Sequence, residues 1–488
     1  MVSLVVLGLL LIWWLGELIS AGRGFGFGDG RTYGRLGMLF PEFKYVDEYR
    51  MGRVLPSLVV NLGHRILPGP ANVGSTVRLF RLMNLALLAG SAGLWYLIAR
   101  HWRLRRPAAW IGFVGLLFSF ANLKLAMYYP TLTDTAALAV AVLLLYVFLR
   151  GNWQLTAGIA AAGAFISPPL AVLALVLVAL PRLPTRPREP ATTSQRRLGW
   201  AGAAAVAVCA AGWLWHIDGR FEGWVVSGGE EAWRSWMWLS IGLAAAYLGL
   251  GALPFLESLI SNGRSWLRQL AGSGRHRRRL LLRLGVVGVI VTAALALYQL
   301  GVEVTERDTS IIFDRMLYSA VARPLAFGVA HFMHFGPIVI LAALVWPQLA
   351  AKAHEEGPGM VLLFMGVLVL GLTSESRTIT AALPFVAAYT ARAVDRYEWS
   401  IGAVAVFAAT SIAVSRIWYP INQGPLEDVN YLEFPAQAYF MNFGPWLADR
   451  VFWIFAGACL GGLIITALLL RHAQGSVEPA GDPAGIRR

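Results

Sequence analysis

The stretch Leu155–Pro181 reads LTAGIAAAGAFI, then Ser167-Pro168-Pro169, then LAVLALVLVALP. Each flank is apolar but short of the roughly 20 residues that a membrane-spanning helix needs. A proline pair lacks two backbone donors and crowds the preceding turn, so a single helix does not readily run through it. The stretch is therefore expected to form two helices, 155–166 and 170–181, folded as a hairpin. That reading decides the side on which every later loop lies. Arg100, Arg103, Arg105 and Arg106 precede the hairpin, and Arg182, Arg186, Arg188, Arg196 and Arg197 follow it. A third group comprises Arg264, Arg268, Arg275, Arg277, Arg278, Arg279 and Arg283. Short arginine-rich loops stay in the cytoplasm, and these three share a side only if 155–181 crosses twice.

The other apolar runs are 2–20, 77–99, 107–127, 132–149, 198–216, 236–257, 284–302, 324–349, 359–372, 378–394, 399–418 and 451–470. Together with the hairpin they predict an all-α polytopic membrane protein with about 11–14 transmembrane helices. Its one transmembrane domain covers 1–473, and residues 474–488 form a polar, flexible cytoplasmic tail. Met1–Ser20 has neither a basic start nor an A-x-A cleavage site and reads as a retained first helix, with both termini cytoplasmic. The chain of 488 residues is 57% hydrophobic, with mean hydropathy +0.60 and 14% charged residues, as a bilayer protein requires. Its net charge of +14 points to no nucleic-acid partner, because the arginines sit mostly in loops between apolar helices. Cys209 and Cys459 lie inside apolar runs and read as packing residues.

The longest hydrophilic insertion is 21–76, the first loop on the outer side, periplasmic or extracellular. Within it, Leu55, Leu58, Val59, Leu62 and Ile66 fall on one stripe of a helix, which suits either the membrane interface or packing within the loop. Most carboxylates of interest fall on this same side: Asp29, Asp47, Glu48, Asp134, Glu303, Glu306, Asp308, Asp314 and Glu375. Asp29 follows the glycine-rich run Gly22–Gly28, which lets the backbone present a carboxylate just above the membrane. A lone carboxylate without a histidine or cysteine partner suits removal of a proton from an attacking hydroxyl, or the forming of a turn. Asp47-Glu48 supplies the adjacent pair that a glycosidase would want. Asp134 opens the fourth helix, where an acid also favours the helix dipole, and Lys124 is its expected ionic partner. Arg377, beside Glu375, suits a lipid phosphate or an internal ion pair. His331 and His334 are i, i+3 in 324–349, a spacing that fits polar packing or phosphate hydrogen bonding better than a metal.

With these residues in view, the chain resembles the C-type (GT-C) glycosyltransferases, polytopic enzymes that use polyprenyl-phosphate-linked sugars outside the membrane. Asp29 followed by Tyr33 looks like the family's catalytic first-loop aspartate. Tyr49-Arg50 with Arg53-Val54-Leu55-Pro56 looks like the arginine-rich segment of bacterial members. Thr133-Asp134 is similar to the aspartate that opens the fourth helix, and Glu375-Ser376-Arg377 with Pro384 looks like a late E-x-R…P element. Position 30 departs from the pattern, being glycine where several relatives carry an acid. The resemblance implies a GT-C-like bundle whose first loop carries interfacial helices. It also implies inverting transfer of a sugar from a polyprenyl-phosphate donor to a hydroxyl of a lipid or cell-envelope glycan, in a bacterial inner membrane. Asp29 is the first choice of base and Asp47 the second. Arg377 is the first choice for holding the donor phosphate, with Arg50, Arg53, His331 and His334 as further candidates, and Glu375, Tyr33, Asp134 and Lys124 complete the expected donor-binding set. Some relatives use Mg or Mn, although the sequence shows no dedicated ligand cage. Two alternatives stay open: a lipid-linked glycan polymerase or ligase of O-antigen type, and a lipid-linked glycan transporter or flippase.

Overall fold

The computed structural model describes residues 1–15, 25, 28–43, 46–183, 192–220, 230–271, 274–301, 317, 323–417 and 449–475. Most of the glycine run before Asp29, the acids Glu303, Glu306, Asp308 and Asp314, and the tail beyond Gly475 lie outside these residues. The described residues contain helices and no strand.

After α1 (Val2–Leu15), the first loop holds α2 (Gly28–Leu39), the single turn α3 (Glu48–Met51) and α4 (Leu55–Ile66). Helix α4 turns its polar face inward. Ser57 Oγ donates to the Tyr33 carbonyl at 2.9 Å, and Asn61 Nδ2 lies 3.4 Å from the carbonyls of Gly37 and Met38. Val59, Leu62 and Ile66 are exposed on its other side. A helix with its apolar stripe outward and its polar groups satisfied inward suits a bilayer interface. Helix α5 (Val73–His101) begins with a reciprocal cap between Asn72 and Ser75 and is 29 residues long.

Next come α6 (Arg106–Leu117), a π-helical stretch Phe120–Leu125 and one further turn, Ala126–Tyr128, bent from α6 by 54°. The break and the end of the turn after it leave carbonyls free, and side chains from other turns take them. Asn84 Nδ2 donates to Ala126 O at 2.9 Å and to Pro130 O at 3.0 Å, Arg81 Nε donates to Met127 O at 3.1 Å, and Asn122 Nδ2 donates to Leu116 O at 2.6 Å. Irregular backbone at membrane depth persists where protein surrounds it.

Helices α7 (Asp134–Leu149), α8 (Trp153–Gly163) and α9 (Pro168–Ala179) follow, with α8 packed along α9. The expected hairpin is present. Pro168 and Pro169 occupy the first turn of α9, where missing N–H groups cost nothing. The chain continues through α10 (Thr193–Arg220), α11 (Glu230–Ala271) and α12 (Gly274–Gly301). The expected span 324–349 is corrected to three pieces: α13 (Ala326–Phe335), α14 (Ile338–Leu344) and α15 (Trp346–His354). Gly336-Pro337 and Trp346-Pro347 impose these breaks. Helices α16 (Pro358–Leu370), α17 (Leu383–Val394), α18 (Ile401–Ser415) and α19 (Asp449–Gly475) complete the described fold.

Among the described residues, five helices are long and apolar enough to cross a membrane, or six if the bent pair is one span. That is fewer complete spans than the 11–14 or so that the apolar runs predict. At 1.5 Å per residue, apolar helices such as Asp134–Leu149 and Pro358–Leu370 fall short of a hydrocarbon core about 30 Å thick.

The arginine-rich segments meet at one end of the bundle. Glu356, almost wholly buried, is held between Arg182 and Arg392. Arg182 also donates to the carbonyl of Leu149, Arg283 to that of Val178, and the Arg105 amide to the Asp395 carboxylate. The starts of α7 and α9 and the end of α16 lie at the opposite end, where the candidate site forms.

Candidate active site

Four chain segments bring seven charged side chains together. Asp29 comes from the first turn of α2, Asp47, Arg50 and Arg53 from around α3, Asp134 from the first residue of α7, and Glu375 and Arg377 from the turn after α16. Arg50 Nε lies 3.2 Å from Asp29 Oδ1 and Arg50 Nη1 2.8 Å from Asp47 Oδ2. Arg377 has carboxylate oxygens on three sides: Asp134 at 3.1 Å, Glu375 at 3.7 Å and Asp29 at 3.8 Å. The partner of Asp134 is therefore Arg377, which corrects the expected Lys124. The Lys124 ammonium instead lies 3.5 Å from the Ile417 carbonyl.

The two candidate bases differ in their attachments. Asp47 Oδ1 accepts the Arg50 amide at 2.9 Å, which makes this side chain the N-cap of α3, and Oδ2 is taken by the Arg50 guanidinium. Asp29 is bonded through Oδ1, whereas among the described residues its Oδ2 has only the 3.8 Å contact with Arg377. Its side chain keeps 20% of its surface exposed.

Arg53 is the outlying cation. It is 3% exposed, and among the described residues its Nε has no hydrogen-bond partner and the side chain forms no ion pair. It rests on the Tyr49 ring at 4.6 Å from the centroid. Tyr33, fully buried, has a hydroxyl without a hydrogen-bond partner among the described residues. Burial pushes the Tyr33 phenol well above its usual range, with the Asp29 carboxylate adding to the shift, so Tyr33 remains a neutral donor. Burial likewise raises Glu375, against the opposing pull of Arg377.

An apolar groove of about 520 Å³ opens between α9 and α16. Pro168, Pro169, Val172, Leu173, Val176, Leu362, Gly366 and Val369 line its length, and Tyr49 and Arg53 close one end. The hydroxyls of Thr373 and Thr378 at that end lie 2.7 Å apart, each also within hydrogen-bond reach of a backbone carbonyl, so that one donates to the other and the other to its carbonyl. Among the described residues, Arg53 is thus the one charged side chain lining the groove.

The two histidines divide. His331 Nε2 lies 2.9 Å from the Gly371 carbonyl and Nδ1 3.0 Å from Ser376 Oγ. A carbonyl only accepts, so Nε2 carries the proton and Nδ1 accepts from the serine. His331 thereby braces the turn that presents Arg377. His334 is buried between Phe335 and Phe120, and neither ring nitrogen has a hydrogen-bond partner among the described residues. Each of the four carboxylates already contacts a guanidinium, and among the described residues no three ligating side chains converge.

Sequence reasoning missed Tyr129, whose hydroxyl accepts the Gly30 amide at 3.0 Å. Its neighbour Pro130 and the nearby Asp134 mark the segment, but no local pattern joins it to position 30. Glycine stands at 30 because the Tyr129 ring fills the space: a Cβ there would lie 2.1 Å from Cε2. Compared with known proteins, the chain matches no family model, no curated protein and no solved structure.

Proposed function

We propose that this protein is an inverting glycosyltransferase that moves a sugar from a polyprenyl monophosphate to an acceptor hydroxyl. The observation that carries this reading is Arg53, a buried guanidinium without an ion pair among the described residues, at the head of an apolar groove. An amphiphile with one anionic head and a long hydrocarbon tail complements that arrangement. The prenyl chain lies between α9 and α16, and the phosphate accepts from Arg53, with the Tyr33 hydroxyl as a second donor.

In the reaction, the acceptor oxygen attacks the anomeric carbon from the face opposite the phosphate. Its proton passes to Asp29, the bond from the anomeric carbon to the phosphate oxygen breaks, and the electron pair leaves on the phosphate. Asp29 is favoured over Asp47, because both oxygens of Asp47 are committed to α3 and Arg50. Donors fixed where charge develops stabilise the transition state, each by about 3 kcal/mol. Arg377 aligns Asp29 and Asp134 on one side of the site, leaving the phosphate to Arg53. The arginine-rich end of the bundle then faces the cytoplasm of a bacterial inner membrane, and the site faces outward. The acceptor is a lipid or envelope glycan.

The test is transfer of labelled sugar from a panel of polyprenyl-phosphate sugars by purified protein in lipid, with an envelope extract as acceptor pool. Asp29→Asn is expected to bind donor normally and to lose transfer by at least about 10²-fold, the usual contribution of a general base. Asp47→Asn is expected to lose far less. Donor bound by the wild-type protein and never consumed would sink the proposal and favour a transporter.

A further inference from the structure

The groove and the charged cluster account for the substrate and the base, but not for what holds the base in place. Asp29 lies in the first turn of α2, where backbone N–H groups have no partner within their own helix. The Gly30 amide finds its acceptor 99 residues away, in the buried Tyr129 hydroxyl at 3.0 Å. The Tyr129 ring closes directly on Gly30, since a Cβ at position 30 would be 2.1 Å from Cε2 and 2.4 Å from Cζ.

Tyr129 is itself braced from the spanning helix α5. It ends the turn Ala126–Tyr128, whose carbonyls at Ala126 and Met127 accept from Asn84 and Arg81, and Asn84 also holds the Pro130 carbonyl. All three bracing bonds are buried. The same segment runs on to Asp134, which pairs with Arg377, and Arg377 reaches back to Asp29. Asp29 is therefore tied twice to the start of α7, once through the backbone of its neighbour and once through its own carboxylate. A carboxylate held only by guanidiniums would follow them when an anionic donor arrives. The backbone tie does not depend on charge.

We propose that Tyr129 is a positioning residue for Asp29. Its hydroxyl and ring fix the first turn of α2, so that the carboxylate keeps its place when a phosphate enters beside Arg53. The proposal rests on the transfer reading above. A base displaced by about 1 Å costs on the order of 10²-fold in rate, whereas donor affinity, set at Arg53, is untouched.

The experiment compares wild type, Tyr129→Phe, Gly30→Ala, Tyr129→Ala and the Gly30→Ala/Tyr129→Ala double variant in lipid, by transfer kinetics and thermal melting. Tyr129→Phe keeps the ring and removes the acceptor. It is expected to lower kcat roughly 10- to 100-fold, with the donor KM and the melting temperature close to wild type. Gly30→Ala is expected to melt low when the tyrosine ring is present. In the Tyr129→Ala background, where the ring is gone, the same change is expected to cost much less. Unchanged kcat in Tyr129→Phe, or kcat and melting falling together in proportion to folded protein, overturns the positioning role. Additive melting shifts in the double variant overturn the contact itself. Coupled melting in a wild-type protein that transfers no sugar leaves the contact standing and removes the transferase reading, and the catalytic role with it.

Discussion

Replacing Arg53 with methionine separates what this side chain does for a ligand from what it does for the fold. Methionine keeps a flexible chain that still rests on the Tyr49 ring. On the fold side two terms oppose each other. The variant loses a desolvated cation–π contact worth about 2 kcal/mol, and it escapes the cost of burying a cation, several kcal/mol. Nearby Asp134 favours the guanidinium and moderates that relief. The net change in stability is expected to stay within about 2 kcal/mol. On the ligand side there is no such cancellation. Two charge-assisted hydrogen bonds to a phosphate contribute about 3–4 kcal/mol, which is a few hundredfold in affinity. The prenyl tail adds little, because it moves from bilayer hydrocarbon into an equally apolar groove and leaves no water behind. The assay is equilibrium binding of a polyprenyl monophosphate and of the uncharged polyprenol to both proteins in nanodiscs. Wild type should prefer the phosphate by a few hundredfold, and Arg53→Met should bind both alike. Equal phosphate affinity in the two proteins, with melting unchanged, would refute the assignment of Arg53 as the phosphate holder.

Gly366 lines the groove, and a Cβ at this position would meet nothing within 4 Å, so Gly366→Leu adds bulk where a prenyl chain would lie. That variant should gain about 1 kcal/mol from helix propensity in α16 and lose polyprenyl-phosphate binding; tighter binding would contradict the groove's role. Arg377→Met leaves buried Asp134 without its guanidinium and should destabilise the fold by about 3–5 kcal/mol, read as a lower melting temperature. Glu375, raised by burial, holds its proton more tightly folded than unfolded. Its contribution to stability is therefore present below the ordinary glutamate range and lost as pH rises through the raised folded value. Glu375→Gln does not titrate, so over that window wild type should lose melting temperature relative to the variant; parallel profiles would contradict the partly buried placement of this acid.

Much of this protein was legible in its sequence because the signals were local. Proline at 168 and 169, hydrophobic runs and arginine-rich loops depend on neighbours a few residues away, and they placed the hairpin, the helices and the two unlike ends of the bundle. The stripe at Leu55–Ile66 marked α4, although only packing revealed that Ser57 and Asn61 face inward and Val59 and Leu62 outward. Asp29, Asp134, Glu375 and Arg377 were expected on one side of the membrane, and they gather at one end of the bundle. Pairings within that gathering did not. Asp134 chose Arg377, 243 residues away, over Lys124, far nearer in sequence, because approach between helices sets ion pairs. His331 was a phosphate candidate until both of its nitrogens proved committed to Gly371 and Ser376. The breaks at 118–119 and 336–337 shortened expected spans: at the first Asn122 bonds the freed Leu116 carbonyl, and at the second Pro337 has no amide to continue the ladder. Sequence by itself determined which segments are helical and that Asp29, Asp47, Asp134 and Glu375 fall on one side of them, through hydrophobicity and charge that act residue by residue. Only the tertiary structure decided that Arg53 lacks a carboxylate among the described residues and that Tyr129 holds Gly30, because a buried group's partners are set by which helices pack together.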